Sequence, residues 1–335
     1  MEPSRVRIAD IAEELGLSTA TVSNVIHGKT KKISQETVKR VQELLEKRQY
    51  IPSMAGILLA QNDSRIIGVV VNDHEKYEDH AMEDGFIGAS LNALTKELDK
   101  AGYFLMLKLT KDSEEIPRFA SMWNMEGVIL MGFCERDYKK MREKMHIPMV
   151  IYDGFLPEQG NFVNIELNHF DGGVKAGQYL LSKGHKKVLC ISDNNICMDS
   201  LRFQGLKSII PQAQLRLVPS NTQERRLFYE KQIEELLEYT AVFAVSDFYA
   251  IDLLQFLQDH KIGVPDRISI LGFDDIREGV HSNPPLSTIG QNHEMRAKTA
   301  LEMLKKQKET GNHYETVCLP VAVVERASVK DLSKE

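Results

Sequence analysis

From residue 66 onward, short apolar segments alternate with longer amphipathic segments. The apolar segments cover residues 66–71, 103–109, 127–131 and 148–152, and then 187–191, 214–218, 241–244 and 268–272. Apolar residues at helical spacing lie between them, near residues 84–101, 113–123, 135–145, 170–183, 198–209, 223–238 and 247–260. Strands that alternate with helices build parallel sheets covered by helices on both faces. The two sets of strands predict two doubly wound sheets, with a cleft at the carboxyl ends of their strands where small molecules bind.

Residues 1–60 have a different pattern, that of three short helices. The first helix is predicted to end at Gly16, because glycine tolerates the positive φ of a helix end. The hydroxyls of Ser18 and Ser34 are placed to cap the second and third helices. Apolar residues at helical spacing close a small core: Ile8, Ile11, Ala12 and Leu15, then Val22, Val25 and Ile26, then Val38, Val41, Leu44 and Leu45.

The second of these helices presents short, mostly uncharged side chains on its outer faces: Thr19, Ala20, Thr21, Ser23, Asn24 and His27. Side chains this short let a helix enter the major groove, where hydroxyl, amide and methyl groups meet base edges. The next loop carries Lys29, Lys31 and Lys32, which suit phosphate contacts. The pattern predicts a helix-turn-helix whose second helix reads DNA sequence. A small helical bundle used for protein contacts is the alternative.

The charge of the chain is unevenly distributed. The net charge is −6, but residues 1–60 hold nine Lys/Arg and seven Asp/Glu, so this segment is positive and the rest is negative. An acidic body is repelled by phosphates. Contact with nucleic acid is therefore expected only from the N-terminal segment.

The segment from Val6 to Gly28 reads VRIADIAEELGLSTATVSNVIHG. It resembles the N-terminal signature of the LacI/GalR family of bacterial transcriptional regulators. The resemblance implies that Thr19, Ala20 and Asn24 read bases and that Thr21 and Ser23 lie beside phosphates. Asn24 stands where the family usually has Arg, and His27 where it usually has Asn. Because Asn prefers adenine and Arg prefers guanine, the operator half-site is expected to differ from the common one.

Residues 50–53, Tyr-Ile-Pro-Ser, end the N-terminal domain with a proline, and residues 54–61 predict a helix that is marginal alone in water. This segment resembles the family's hinge helix, which orders on operator DNA. The resemblance implies that Leu59 wedges into the minor groove, where an apolar side chain unstacks a base step. A flexible tether is the alternative.

Five further segments occur in family order: residues 147–153, 184–188, 202–206, 264–275 and 284–289. They resemble the periplasmic-binding-protein-like core of the same family. The resemblance implies an effector pocket that takes Asp153, Arg202, Ser246, Asp247 and Asp274, with Phe273 close by. Carboxylates accept hydrogen bonds and Arg donates them in pairs, which suits polyhydroxyl ligands such as sugars. Ser246 departs from the Asn that is typical of the family.

Residues 73–84 lack the family's usual Asn-Pro-aromatic sequence. Tyr77 and Phe86 are candidates for the missing stacking face. The acidic residues here, Glu75, Glu78, Asp79, Glu83 and Asp84, are expected to form a solvated loop. The methionines and the tryptophan nearby in sequence, Met122, Trp123, Met125 and Met131, are expected to pack in the core.

No catalytic, metal or cofactor motif is present. The chain has no G-x-G-x-x-G, G-x-S-x-G or H-E-x-x-H sequence, and the adjacent Asp274 and Asp275 are expected to point apart. Cys134, Cys190, Cys197 and Cys318 form no C-x-x-C pair and are expected to be core thiols without disulfide or zinc. No apolar run reaches the roughly 20 residues of a membrane span, and the N-terminus lacks an apolar signal segment. We therefore expect a cytoplasmic protein.

The sequence thus predicts an all-α helix-turn-helix head joined to an α/β core of two subdomains. The expected boundaries are 1–52 for the DNA-binding domain, 53–64 for the hinge, 65–163 plus 293–316 for the first core subdomain, and 164–292 plus 317–330 for the second. The predicted protein is a ligand-responsive regulator, a homodimeric repressor of sugar-utilisation genes on palindromic operator DNA, and not an enzyme. A cytoplasmic sugar receptor or sugar-modifying enzyme with a helical interaction module is the alternative.

Overall fold

The computed structural model describes residues 6–51, 64–133, 135–156, 162–311 and 313–334. The chain divides into two compact units, Met1–Ser64 and Arg65–Glu335. The predicted hinge lies almost entirely outside the described residues.

The described part of the first unit is a three-helix domain, as predicted. Helix α1 is Ile8–Leu15, α2 is Thr19–Ile26 and α3 is Gln35–Lys47. Gly16 has φ +67° at the end of α1. The Ser18 and Ser34 hydroxyls accept hydrogen bonds from the backbone N–H groups of Thr21 and Thr37, so both predicted caps form. The fully buried core residues are Ile11, Val22 and Val41.

The second unit alternates strands and helices. Its strands are β1 Ile66–Asn72, β2 Phe104–Thr110, β3 Gly127–Met131, β4 Met149–Tyr152, β5 Val163–Leu167, β6 Val188–Ser192, β7 Gln214–Leu217, β8 Ala241–Ala244, β9 Ser269–Asp274, β10 Ser287–Gly290, β11 Thr316–Leu319 and β12 Ala322–Val324. Its α-helices are α4 Gly85–Lys100, α5 Glu115–Met122, α6 Glu135–Lys144, α7 His169–Ser182, α8 Cys197–Ile209, α9 Thr222–Leu236, α10 Asp247–Asp259, α11 Arg277–His281 and α12 His293–Thr310. Single 3₁₀ turns cover Glu75–Tyr77, Ala81–Glu83 and Leu332–Lys334.

These strands form two six-stranded sheets. The first has the order β11-β5-β4-β3-β1-β2 and is parallel throughout, and the second has the order β12-β10-β9-β8-β6-β7 with only β12 antiparallel. The chain crosses from one sheet to the other after β5, β10 and β11. Two predicted boundaries therefore move, because β5 stays in the first sheet to Leu167 rather than crossing at 163, and β11 to Leu319 rather than 316.

Two glycines set the close packing of α7 on α8. A Cβ at Gly173 would lie 2.0 Å from the carbonyl oxygen of Arg202, and a Cβ at Gly205 would lie 2.1 Å from that of Phe170. No larger residue fits at either position without separating the helices. This approach brings Arg202 on α8 beside His169 at the start of α7.

The burial of the sulfur-containing and aromatic residues differs in part from expectation. Met125 and Met131 are buried, but Met122 and Trp123 are 68% and 46% exposed, so the prediction that they pack in the core is wrong. Met122 is the last residue of helix α5, and Trp123 follows it as the C-terminal cap. Cys190 is buried, Cys197 half-buried and Cys318 exposed, and Cys134 lies outside the described residues. None of the described helices is long and apolar enough to cross a membrane.

Candidate functional site

Helix α2 exposes the residues expected to read bases. Thr19, Ala20 and Asn24 are exposed, while Thr21, Ser23 and His27 are half-buried. The Thr21 hydroxyl lies 2.8 Å from that of Ser18, which holds it at the start of the helix. Lys29, Lys31 and Lys32 are also exposed in the loop after α2. Leu59, expected in the minor groove, lies outside the described residues.

A cavity of about 250 Å³, here called the cleft, lies where the carboxyl ends of strands from both sheets meet. Four of the six predicted effector residues line it: Asp153, Arg202, Ser246 and Asp274. Asp153 follows β4, Ser246 follows β8 and Asp274 ends β9, as the strand-end rule predicts for such sheets. Tyr77 and Phe86, the two candidates for a stacking face, both line the cleft as well.

The other two predicted residues, Asp247 and Phe273, do not line the cavity and lie behind its wall. Asp247 is fully buried and accepts hydrogen bonds from the Thr288 hydroxyl at 2.7 Å and the Ile276 N–H at 3.0 Å. Burial raises its pKa to about 6. Phe273 is also fully buried, and its ring centroid lies 3.7 Å from the Arg202 guanidinium carbon. Both residues support lining groups rather than face the cavity.

A chain of polar contacts runs through the floor of the cleft. Arg202 Nε donates to His169 Nδ1 at 3.2 Å, so the ring proton of His169 is on Nε2, which lies 3.1 Å from Asp153 Oδ1. Burial lowers the pKa of His169, which keeps the ring neutral in this role. Arg296 Nη2 lies 2.6 Å from the same Asp153 oxygen. Although burial opposes it, Arg296 together with His169 holds the pKa of Asp153 well below its ordinary value.

The Asp274 carboxyl, by contrast, forms no ion pair within 4 Å among the residues that the structure describes. Its Oδ1 accepts a hydrogen bond from Gln291 Nε2 at 3.0 Å. Burial raises its pKa well above the ordinary value, even though Arg202 opposes the shift. Both Asp153 and Asp274 have positive φ, 66° and 126°. Holding a non-glycine residue in such a backbone conformation costs about 1–3 kcal/mol. Residues in these conformations cluster at ligand sites.

Several lining residues escaped the sequence analysis: Lys76, Asp84, Asp193, Asp199 and Tyr249. Asp193 directly follows β6, so the strand-end rule could have identified it. The expectation of a solvated acidic loop is wrong for Asp84, which lines the cleft and caps α4 by accepting from the Ile87 N–H at 3.0 Å. Glu78 is exposed, as expected, and its carboxylate also accepts hydrogen bonds from Asn221 Nδ2 at 2.8 Å and the Thr222 N–H at 2.9 Å.

Two family descriptions match the chain. Residues 7–53 match the bacterial regulatory proteins of the lacI family, and residues 178–329 match the periplasmic binding protein-like domain. The HTH-type transcriptional repressor PurR of Vibrio atlanticus is 29% identical over 345 aligned positions, covering 97% of this chain and 99% of the relative.

Solved structures share the fold over nearly the whole chain. The lac repressor dimer bound to operator and an anti-inducer has a TM-score of 0.82 at 19% identity, over 98% of this chain and all of that one. A complex of the regulator CelR with cellobiose has a TM-score of 0.68 at 18% identity, over 97% of this chain and all of that one. At these identities the likeness establishes the three-helix domain followed by the two-sheet core.

Proposed function

Because the chain belongs to the lacI family of bacterial regulatory proteins, we propose that it is a transcriptional repressor controlled by a small polyhydroxyl molecule, a sugar or sugar derivative. It binds palindromic operator DNA as a homodimer, with one α2 helix in each half-site. One observation carries the proposal: the same chain holds an exposed helix face of short side chains and a cleft lined by carboxylates and an arginine.

The lining of the cleft supports a ligand with several hydroxyl groups. Asp153 and Asp274 offer acceptor oxygens, Arg202 offers donors, and Ser246 offers a hydroxyl. Tyr77 and Phe86 add aromatic faces that can pack on the apolar side of a sugar ring. A ligand held by such groups is oriented by hydrogen bonds and desolvated by the rings.

The position of the cleft supports coupling between ligand and DNA. Asp84 and Asp153 belong to elements of the first sheet, whereas Arg202 and Asp274 belong to elements of the second. A ligand that contacts residues from both sheets binds more tightly when the sheets are at one distance than at another. It therefore shifts the equilibrium between conformations that differ in this distance. We expect this shift to reach the operator through residues 53–64, with Leu59 in the minor groove.

We also infer that the protein works in the cytoplasm and is not an enzyme. A repressor acts where the chromosome is, and the relative from Vibrio atlanticus is named a transcriptional repressor. The Asp153 carboxylate is engaged by Arg296 and His169, which leaves it poorly suited to proton transfer. Turnover of a sugar by the purified protein would contradict this inference.

The direct test is footprinting of the purified protein on promoter DNA from its own genome. We expect protection of an inverted repeat, with an affinity that falls steeply as salt rises, because each neutralised phosphate adds about 0.9 to the logarithmic slope. Replacing Lys31 with Ala should lower that slope. If no inverted repeat is protected at any salt concentration, the proposed function is wrong.

The exposed Asn24 side chain provides a test of base reading. We expect Asn24→Arg to change the preferred base at one symmetric pair of operator positions, from adenine towards guanine, by about 1–3 kcal/mol. Selection from a random operator library measures the change. Gln42→Arg, on the exposed surface of α3, adds the same charge and should leave base preference as it is. Identical selections from wild type and Asn24→Arg would contradict the assignment.

A further inference from the structure

The charges that line the cleft are not balanced. Its charged side chains in the described residues are Lys76, Asp84, Asp153, Asp193, Asp199, Arg202 and Asp274. His74 also lines it, but burial lowers its pKa, so its imidazole stays neutral near neutral pH. Carboxylates therefore outnumber cations by five to two.

Most of the positive charge near the cleft is already engaged. Arg296 and His169 hold Asp153, and Arg202 donates to His169 and to the carbonyl of Val245 while it stacks on Phe273. The Lys76 ammonium lies 4.8 Å from the Tyr77 ring centroid and is attracted by Asp84, Asp199 and Asp193, which raise its pKa. One lysine therefore faces three carboxylates.

Asp84 and Asp274 are two of the three lining carboxylates, with Asp193, that form no ion pair within 4 Å in the described part of the chain, although the Lys76 ammonium attracts Asp84 from farther away. Asp84 caps α4 on the first sheet, and Asp274 ends β9 on the second. The Asp84 charge is close enough to contribute to the raised pKa of Asp274, and burial raises the pKa of Asp84 too. One half-buried and one buried carboxyl group thus line the cleft, one from each sheet, and repel each other when both are ionised.

Two buried tyrosine hydroxyls in the same cavity also lack well-aligned hydrogen bonds in the described part of the chain. Tyr152 and Tyr249 line the cleft and are 1% and 3% exposed, and among the described residues neither hydroxyl forms a well-aligned hydrogen bond, although Ser90 lies near the first and Asp193 near the second. A buried polar atom without a partner is costly and usually meets a ligand or water. Tyr77, Phe86 and Phe248 add aromatic rings to the wall, and aromatic faces attract cations.

We propose that the effector is a protonated amine that also carries hydroxyl groups, an amino sugar by chemical class, with its ammonium between Asp84 and Asp274. This inference rests on the proposed function and names the ligand of the same cleft. The ammonium replaces a repulsion between the two sheets with an attraction to both. The hydroxyls of the ligand meet Arg202, Ser246 and the two buried tyrosine hydroxyls.

The charge balance also ranks other ligands. A neutral sugar fills the cavity but places no cation between the two carboxyl groups, which leaves Lys76 as the lining cation nearest Asp84. A sugar phosphate adds negative charge to a site that already has an excess of it. N-acetylation removes the positive charge and enlarges the ligand at the same atom. The expected order of affinity is therefore amino sugar, then neutral parent, then phosphate.

The test is calorimetry on the full-length protein with D-glucosamine, D-galactosamine and D-mannosamine. Each is compared with its neutral parent, its N-acetyl derivative and its 6-phosphate. We expect at least one amino sugar to bind ten times more tightly than its parent and its N-acetyl derivative. Equal or tighter binding of a parent or a phosphate would overturn the proposal, and so would the absence of binding by all three amines at millimolar concentration.

Variants then locate the ammonium. Asp84→Asn preserves the helix cap, because Asn caps as well as Asp, and Asp274→Asn keeps the shape of the side chain. Each should reduce the preference for the amine over its parent to less than threefold. Glu83→Gln, an exposed neighbour whose side chain is 79% exposed, should leave the preference unchanged. An undiminished preference in both aspartate variants would refute the assigned position.

Operator binding by the ligand-free protein separates this inference from the proposed function. A protein that protects an inverted repeat but prefers neutral sugars refutes only the amine. A protein that binds an amino sugar but protects no repeat refutes the repressor and leaves an amine-binding protein.

Discussion

At the scale of single residues, the cleft depends on a buried arginine that no motif indicated. Arg296 is fully buried, donates to Gln291 Oε1 at 2.8 Å and to the Ile165 carbonyl at 3.3 Å, and stacks 4.3 Å from the centroid of Tyr152. Its closest charged partner is Asp153, at 2.6 Å. Removing one partner of such a pair leaves a buried charge uncompensated. Arg296 therefore holds Asp153 ionised in place.

We predict that Arg296→Met lowers the free energy of unfolding by about 3–5 kcal/mol, measured by urea denaturation. Lys298→Met, on the exposed side of the same helix, should change it by less than about 0.5 kcal/mol. Because the pKa of Asp153 is lower in the folded chain than its unfolded value of 3.8, its contribution is complete above that pH and is lost as the pH falls. An unchanged denaturation midpoint in Arg296→Met would contradict this role.

At the scale of elements, the segment of residues 73–84 links the two sheets of the second unit. It follows β1 of the first sheet, and its Glu78 carboxylate accepts hydrogen bonds at the N-terminus of α9, which packs with the second sheet. A carboxylate at a helix N-terminus is favoured by the helix dipole and by the unpaired N–H groups there. Lys76 and Tyr77 of the same segment line the cleft. Glu78 therefore positions part of the cleft wall.

Replacing Glu78 with Ala should loosen this segment. Loss of the carboxylate removes about 0.3–1 kcal/mol of helix-terminus interaction, so amides of residues 74–83 should exchange hydrogen about two- to fivefold faster. Mass spectrometry of the ligand-free protein measures the change. Glu83→Ala, whose side chain pairs only at the surface with His80 at 3.1 Å, serves as the control. Equal exchange in wild type and Glu78→Ala would show that the contact does not order the segment.

At the scale of the whole molecule, the proposed regulation is a coupling between two binding events. The proposed ligand site is a cleft in the second unit, and the proposed DNA contacts belong to the first. Thermodynamics then requires that each ligand changes the affinity of the other by one common factor. The coupling thus has a quantitative signature that does not depend on its structural route.

We predict that saturating operator changes the affinity for the best-binding amino sugar by the same factor by which that sugar changes operator affinity. Typical coupling of this kind is about 5–150-fold. Calorimetry with and without operator gives one factor, and operator titrations with and without the sugar give the other. If the two affinity ratios differ by more than the experimental error, or if both equal one, ligand binding in the cleft does not control DNA binding.

The three scales differ in how far the sequence predicts them. Helix caps at Ser18 and Ser34 and the αL residue Gly16 depend on neighbours within a few positions, and all three were predicted. The family resemblance implied Asp153, Ser246 and Asp274 as pocket residues, and all three lie at the carboxyl ends of strands, which parallel sheets present at one edge. The partial burial of Asp84 and the exposure of Trp123 depend on which elements cover them, and neither was predicted.

Local physics therefore determined the kinds and order of the elements: apolar periodicity specifies strands and helices, and capping residues specify where they end. Tertiary structure alone decided which charges meet. Arg296 reaches Asp153, Glu78 reaches α9, and Asp84 faces the cleft with Asp274, each pair joining segments far apart in the chain. Electrostatic energy depends on separation in space and on exclusion of water, and neither is encoded in the spacing of residues along the chain.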